Sequence, residues 1–142
     1  MINVTEKYGV NITATNREFL NMYQVFQETR DVRNVKYATI LVINSRVIKE
    51  HLDELEALAT PSPEFITLAQ EAQKFIQADD QEGLKKLEEQ HAEIVESRKT
   101  QMAEVNARLD QEATLELKML NEKILPTELS ADQLEAIAKL IN

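Results

Sequence analysis

With 142 residues, 43% of them hydrophobic, the chain is long enough to bury a core as one domain and too apolar for global disorder. Two Gly, three Pro and no Cys leave little material for the turns of a sandwich or barrel, and exclude a disulfide framework, a thiolate metal site and a Cys nucleophile. The net charge of −9 is uneven, with ten acids to eight bases up to residue 78 and fifteen to eight beyond it, which disfavours direct contact with nucleic-acid phosphate.

In chain order, Ile2, Val4, Tyr8, Val10 and Ile12 fall on even positions, and this period of two predicts a strand. Glu6-Lys7-Tyr8-Gly9 either closes a hairpin, with Gly9 left-handed, or lies inside one irregular strand over 2–13. Thr15-Asn16-Arg17-Glu18 has the form of a capping box, in which the hydroxyl accepts from the Glu18 amide and the carboxylate from the Thr15 amide. A helix should start there, bury Phe19, Leu20, Tyr23 and Phe26, and end in the polar stretch 27–30.

Residues 31–59 are the spine of the chain, with Asp31 as the expected cap and no Gly or Pro inside. Ile48, Leu52, Leu55 and Leu58 are spaced by three or four, as a helix requires. In the first half the apolar residues go all round: Tyr37, Leu41 and Ile48 on one face, Ile40, Ile43 and Val47 on a second, Val35, Ala38 and Val42 on a third. A helix apolar on every side has to be covered on every side. Taken alone, the β-branched stretch 39–43 could pass for a buried strand; the lack of any turn signal before the amphipathic 46–58 favours helix.

Pro61 stops the spine, Ser62 caps and Pro63 opens a returning helix with Phe65, Leu68, Ala69, Ala72, Phe75 and Ile76 on its inner face. Asp79, Asp80 and Gly83 mark a break. Leu84, Leu87, His91, Ile94, Met102, Val105 and Leu109 then predict a second long helix, antiparallel to the spine. Residues 113–119 alternate again, with Leu115, Leu117 and Met119 on one side. They form a strand that pairs with the first one, or else the helix runs on to Leu120, since Leu, Glu, Lys and Met favour helix. Pro126 ends that stretch, and Ser130-Ala131-Asp132-Gln133 is a second capping box, opening a last helix with Leu134, Ile137, Leu140 and Ile141 inside. The expected class is α+β, mainly α, in a single domain over 1–142: a long antiparallel helical hairpin, a small β element joining the N-terminal and C-terminal segments, and a short C-terminal helix.

Chemistry-bearing motifs are sparse. Glu88-Glu89-Gln90-His91 has the Glu-x-x-His spacing of di-iron bundles, but the other histidine, His51, has Ile48 where the second copy needs an acid. There is no His-Glu-x-x-His, glycine-rich phosphate loop or Gly-x-Ser-x-Gly elbow, and Ser62 and Ser130 are explained as caps. The reading therefore assigns no catalytic, cofactor-binding or metal residue, and no cofactor. The longest apolar run, 40–43, falls far short of the ~18 residues of a membrane span. Arg30, Arg33 and Lys36, with Arg46 and Lys49 further on, form the main basic cluster. They are either solvated cations paired with acidic helices or a site for an acidic group of a partner, because cations at a helix start oppose its dipole.

Phe19-Leu20 in a short first helix, Val35-Lys36-Tyr37-Ala38 opening the long one, Asn44 within it, Glu112 ahead of the Leu115/Leu117 alternation, and Leu125-Pro126 with Leu129-Ser130 before the last helix follow a recognisable order. That order resembles a family of small, mainly helical, uncharacterised proteins of tailed bacteriophages and prophages. The resemblance implies a viral origin and action by protein contact, and carries over no functional residue. The expectation is a non-enzymatic protein, in the host cytoplasm or the virion, that acts through self-assembly as a homo-oligomer or through a protein partner, one form being a virion or assembly component. Ile40, Ile43 and Val47 are the candidate interface. The alternative is an inhibitor of a host protein, whose acidic second half imitates nucleic acid or engages a basic surface.

Overall fold

A computed structural model describes residues 9–142. Ile2, Val4 and Tyr8, and with them most of the possible hairpin at 6–9, lie outside the described residues. The described chain is mainly helical with one two-stranded antiparallel sheet. In order it forms β1 (Val10–Thr15), α1 (Asn16–Glu28), α2 (Val35–Ala59), α3 (Pro63–Gln77), α4 (Gln81–Gln90), α5 (Ala92–Leu109), β2 (Glu112–Leu117) and α6 (Ala131–Ile137), with single 3-10 turns at Glu122–Ile124 and Ala138–Leu140. Contacts gather into two compact units, one taking the chain up to Glu54 together with Leu109–Asn142, the other Leu55–Arg108.

In the first unit β1 and β2 pair with Val10 opposite Leu117 and Thr15 opposite Glu112. The alternation over 113–119 is thus a strand, not the tail of a helix; Met119 falls just beyond the ladder. Among the described residues no glycine has a positive φ, so Gly9 does not supply the left-handed residue of a hairpin. It lies instead where a Cβ would come within 2.5 Å of Glu116 Cγ and 3.2 Å of the Leu117 carbonyl. Thr15 ends β1 and caps α1 through the complete capping box, its hydroxyl accepting from the Glu18 amide and its own amide donating to Glu18 Oε1, each at 3.1 Å. Lys139 Nζ reaches Glu18 Oε2 at 2.9 Å and, with the Thr15 amide, holds that carboxyl below the usual range. Phe19, Met22, Val25 and Phe26 form the buried face of α1, while Leu20 and Tyr23 are half-buried.

Asp31 does not cap the spine. It is exposed in the 29–34 connection, and α2 begins only at Val35, because the Asn34 side chain accepts from the amides of Lys36 at 3.1 Å and Tyr37 at 3.3 Å. From there α2 buries Tyr37, Leu41, Asn44, Ser45, Ile48 and Leu52. The Tyr37 hydroxyl meets Thr29 Oγ1 at 2.8 Å, closing the connection between α1 and α2. Asn44, fully buried, uses both ends of its amide on the backbone of one residue just after β2: Oδ1 accepts from the Lys118 amide at 2.8 Å and Nδ2 donates to the Lys118 carbonyl at 2.9 Å. One residue-pair further on, the Leu120 amide donates to Leu140 O at 2.6 Å and the Asn142 amide to Leu120 O at 3.0 Å. The Ser130 capping box forms as expected, and Ile137 and Leu140 are buried, but Leu134 is 38% exposed and belongs to the outer side of α6.

In the second unit Ser62 caps α3 with Pro63 at its first position. The helix ends in a Schellman motif, Asp80 N to Phe75 O at 2.9 Å and Asp79 N to Ile76 O at 3.1 Å, which forces Asp79 to φ 52°. Asp80 then caps α4, its Oδ1 accepting from the Gly83 amide at 2.9 Å. A Cβ on Gly83 would stand 2.6 Å from two carbons of the Phe75 ring, so α4 approaches the end of α3 too closely for any side chain there. The single helix expected over 84–109 is two, interrupted at His91, where φ −120° leaves the helical region; its amide still donates to Leu87 O and its carbonyl accepts from Ile94 and Val95. The last carbonyls of this stretch of α2 are held from α5: Arg98 donates to Ala59 O at 2.9 Å, and Gln101 Nε2 to Leu58 O and to Thr60 O. Leu68, Leu87 and Val105 are buried, whereas Ala69 and Ile76, read as inner-face residues, point to solvent.

Candidate interaction surface

The covered side of α2 is a single arc, and the exposed residues lie opposite it. At 100° per residue, Val35, Thr39, Val42 and Arg46 fall on the far side from Tyr37, Leu41 and Ile48. Val35 is 79% exposed and Val42 46% exposed. The candidate interface residues Ile40, Ile43 and Val47 are half-buried and adjoin this ridge. The three apolar faces of the spine thus meet three fates: covered, half-covered and open.

The open part is rich in β-branched side chains, which lose rotamer freedom in a helix and are returned little for it unless they pack. Thr39 satisfies its hydroxyl locally, donating to Val35 O at 2.7 Å. Beside the ridge runs a groove of about 390 Å³, walled by Val35, Thr39 and Ile40 on α2 and by Met119, Lys123 and Ile124 from the segment after β2. Lys36, Asn121 and Asn142 complete its walls, so apolar and polar groups line it together.

The first three residues of the basic cluster lie at the junction of α1 and α2. Arg30 donates to Gln27 Oε1 at 3.0 Å at the end of α1, Arg33 is exposed in the connection, and Lys36 stands in the first turn of α2. No ion pair among the described residues includes Arg30, Arg33 or Lys36; those formed are Arg17–Asp110, Lys99–Glu96, Arg108–Glu104 and Lys139–Glu18. Arg46 and Lys49 are exposed further along α2, followed by exposed Glu50, Asp53 and Glu54.

Elsewhere in the first unit a cleft of about 430 Å³ is bordered by Glu28, Asp31 and Glu128, with Val32, Pro126 and Leu129. Among the described residues no group of three His, Cys, Asp or Glu is disposed to hold a metal, and no helix is long and apolar enough to cross a membrane. His91, of the Glu-x-x-His spacing, sits half-buried at the break between α4 and α5.

Periodicity alone did not single out Val35 and Val42 as the most exposed apolar residues of the spine. The signal was present in the charges: Arg46, Lys49, Glu50 and Asp53 share the Val35/Val42 side of the helix, and charged residues mark the arc that faces water. What hid it was the opposite arc, where Asn44 and Ser45 are polar yet buried. Comparison with protein-family models, with curated proteins and with solved structures finds no match to this chain.

Proposed function

We propose that this is a non-enzymatic protein that acts by contact, through self-assembly or a protein partner, with the outer face of α2 as its contact surface. One observation carries the reading: Val35 and Val42 stand in water, next to half-exposed Ile40, Ile43 and Val47, on a helix whose opposite side is fully packed. Covering an aliphatic side chain is worth roughly 1.5–3 kcal/mol, so a partner on this face would gain several such contributions. The resemblance to tailed-phage proteins supports placing the contact in a virion or its assembly, in the host cytoplasm or the particle. The same reading takes α3 to α5 as the returning limb of a helical hairpin with α2, supported by Arg98 and Gln101 on the last carbonyls of the spine. The excess of fifteen acids over eight bases after residue 78 supports the rival, an inhibitor that engages a basic host surface.

Sedimentation of the wild type and of Ile43→Glu, each alone and with extract of infected cells, tests the contact surface. The variant should stay folded by circular dichroism and lose the larger species that the wild type forms. A variant that sediments as the wild type does in both settings removes α2 from the reading, and a larger species lost in moderate salt in both chains alike favours the acidic inhibitor.

A further inference from the structure

Lys36, Ile43 and Glu50 are spaced by seven and seven, which on a helix places them in one line along its length. Lys36 and Glu50 are exposed at the two ends of that line, Ile43 is half-buried at its middle, and Thr39, Ile40, Arg46 and Val47 flank it. A row with a cation at one end, an acid at the other and an apolar centre is complementary to itself when reversed. We infer that the occupant of this face is a second copy of the chain, its α2 antiparallel to the first across a two-fold axis at Ile43, with Lys36 of each copy against Glu50 of the other.

The sign of the charges selects the direction. In the reversed pairing Lys36 faces Glu50, and because the two-fold axis keeps each side of the seam together, Ile40 meets Val47 and Thr39 meets the Arg46 stem. A parallel pairing would set Lys36 on Lys36 and Glu50 on Glu50, two like-charge contacts on one line. The order along α2, with Lys36, Arg46 and Lys49 before Glu50, Asp53 and Glu54, extends the same complementarity beyond the central pairs. An isologous contact of this kind also explains how one short apolar face is enough, since each residue is used twice. The β-branched residues at the centre lose little further rotamer freedom on docking, which favours association.

The inference rests on the contact reading above, and thiol chemistry can separate the two because the chain has no Cys. Helices crossing at 8–10 Å between axes bring their nearest Cα atoms to roughly 4–5 Å, within disulfide reach. On oxidation Ile43→Cys should therefore give a covalent dimer. Val35→Cys, eight residues from the axis and so about 24 Å from its counterpart, should not. Lys36→Glu and Glu50→Lys should each weaken dimerisation by about tenfold in sedimentation, and the double variant should return to within about threefold of the wild type. Both are surface substitutions, so circular dichroism should show all three folded.

Cross-linking from both thiols, or a double variant no tighter than the singles, overturns the antiparallel register while leaving the contact surface. A wild type that stays monomeric at every concentration overturns the second copy altogether. If that monomer still forms a larger species with infected-cell extract and Ile43→Glu does not, the contact reading outlives the inference; if neither does, both fall.

Discussion

Two buried hydroxyls on α2 show how differently the same kind of group can behave. The Tyr37 hydroxyl is paired with Thr29, and burial pushes its ionisation up from the ordinary tyrosine value, the Thr29 bond opposing the shift. A raised acid favours the neutral form in the folded state, so its contribution is complete below the unfolded-state value near 10 and is lost as pH climbs through the folded one. Thermal unfolding followed into alkali should show a fall in stability that Tyr37→Phe reduces, at a loss of about 1 kcal/mol at neutral pH for the missing hydrogen bond. Ser45 Oγ, by contrast, is buried with no hydrogen-bond partner. Ser45→Ala removes an unsatisfied group and raises helix propensity, so urea unfolding should show a gain of about 1 kcal/mol. Neither effect is readable from spacing. Tyr37 was legible as core; Asn44 and Ser45 were not, because burial of a polar residue depends on what its neighbours in space offer, and those lie 74 residues away for Asn44.

Among the elements, the caps were the most legible part of the chain: Thr15, Ser62 and Ser130 all accept from the amide three residues on, as local sequence requires. The spine's start was not, since Asp31 and Asn34 are both capable caps and only the fold chooses between them. The α3–α4 corner gives a sharper test. Asp79 occupies a left-handed conformation that costs an L-residue about 1–2 kcal/mol and glycine almost nothing, so Asp79→Gly should stabilise the protein by about 1 kcal/mol. Four residues later the rule reverses. Gly83→Ala would ordinarily favour a helix by about 1 kcal/mol, but its Cβ runs into the Phe75 ring, and a net loss of about 1–3 kcal/mol is expected in the same unfolding assay.

For the whole molecule, burial is unequal between the two units. Phe19, Met22, Phe26, Tyr37, Ile48, Leu117, Leu120, Ile137 and Leu140 are almost wholly excluded from water in the first; in the second, burial is limited to Leu68, Leu87 and Val105, none of them below 4% exposure. Local opening free energy follows buried apolar contact, so amides of α3, α4 and α5 should exchange faster than those of α1, β1 and β2 under native conditions. Uniform protection across both sets would show that they unfold as one. The mainly helical class and the pairing of the two chain ends were legible because both rest on local period and on one alternation per strand. The uneven division was not, since 55–108 carries as regular an apolar pattern as the rest, and pattern does not report how many faces are finally covered.

A two-stranded sheet has two free margins, and a bare margin is a template on which further chains can stack. Past the end of β2 the chain cannot lengthen such a margin, because Asn44 bonds the amide and the carbonyl of Lys118, and Leu140 and Asn142 bond those of Leu120. Asn44→Leu would remove both of these bonds, at about 1–3 kcal/mol for each, and would release the segment after β2 to extend the margin. The expected outcome is a protein that still folds at low concentration but binds thioflavin and scatters light on standing, in time courses where the wild type stays clear. One amide side chain would then separate a well-behaved protein from a fibre-former.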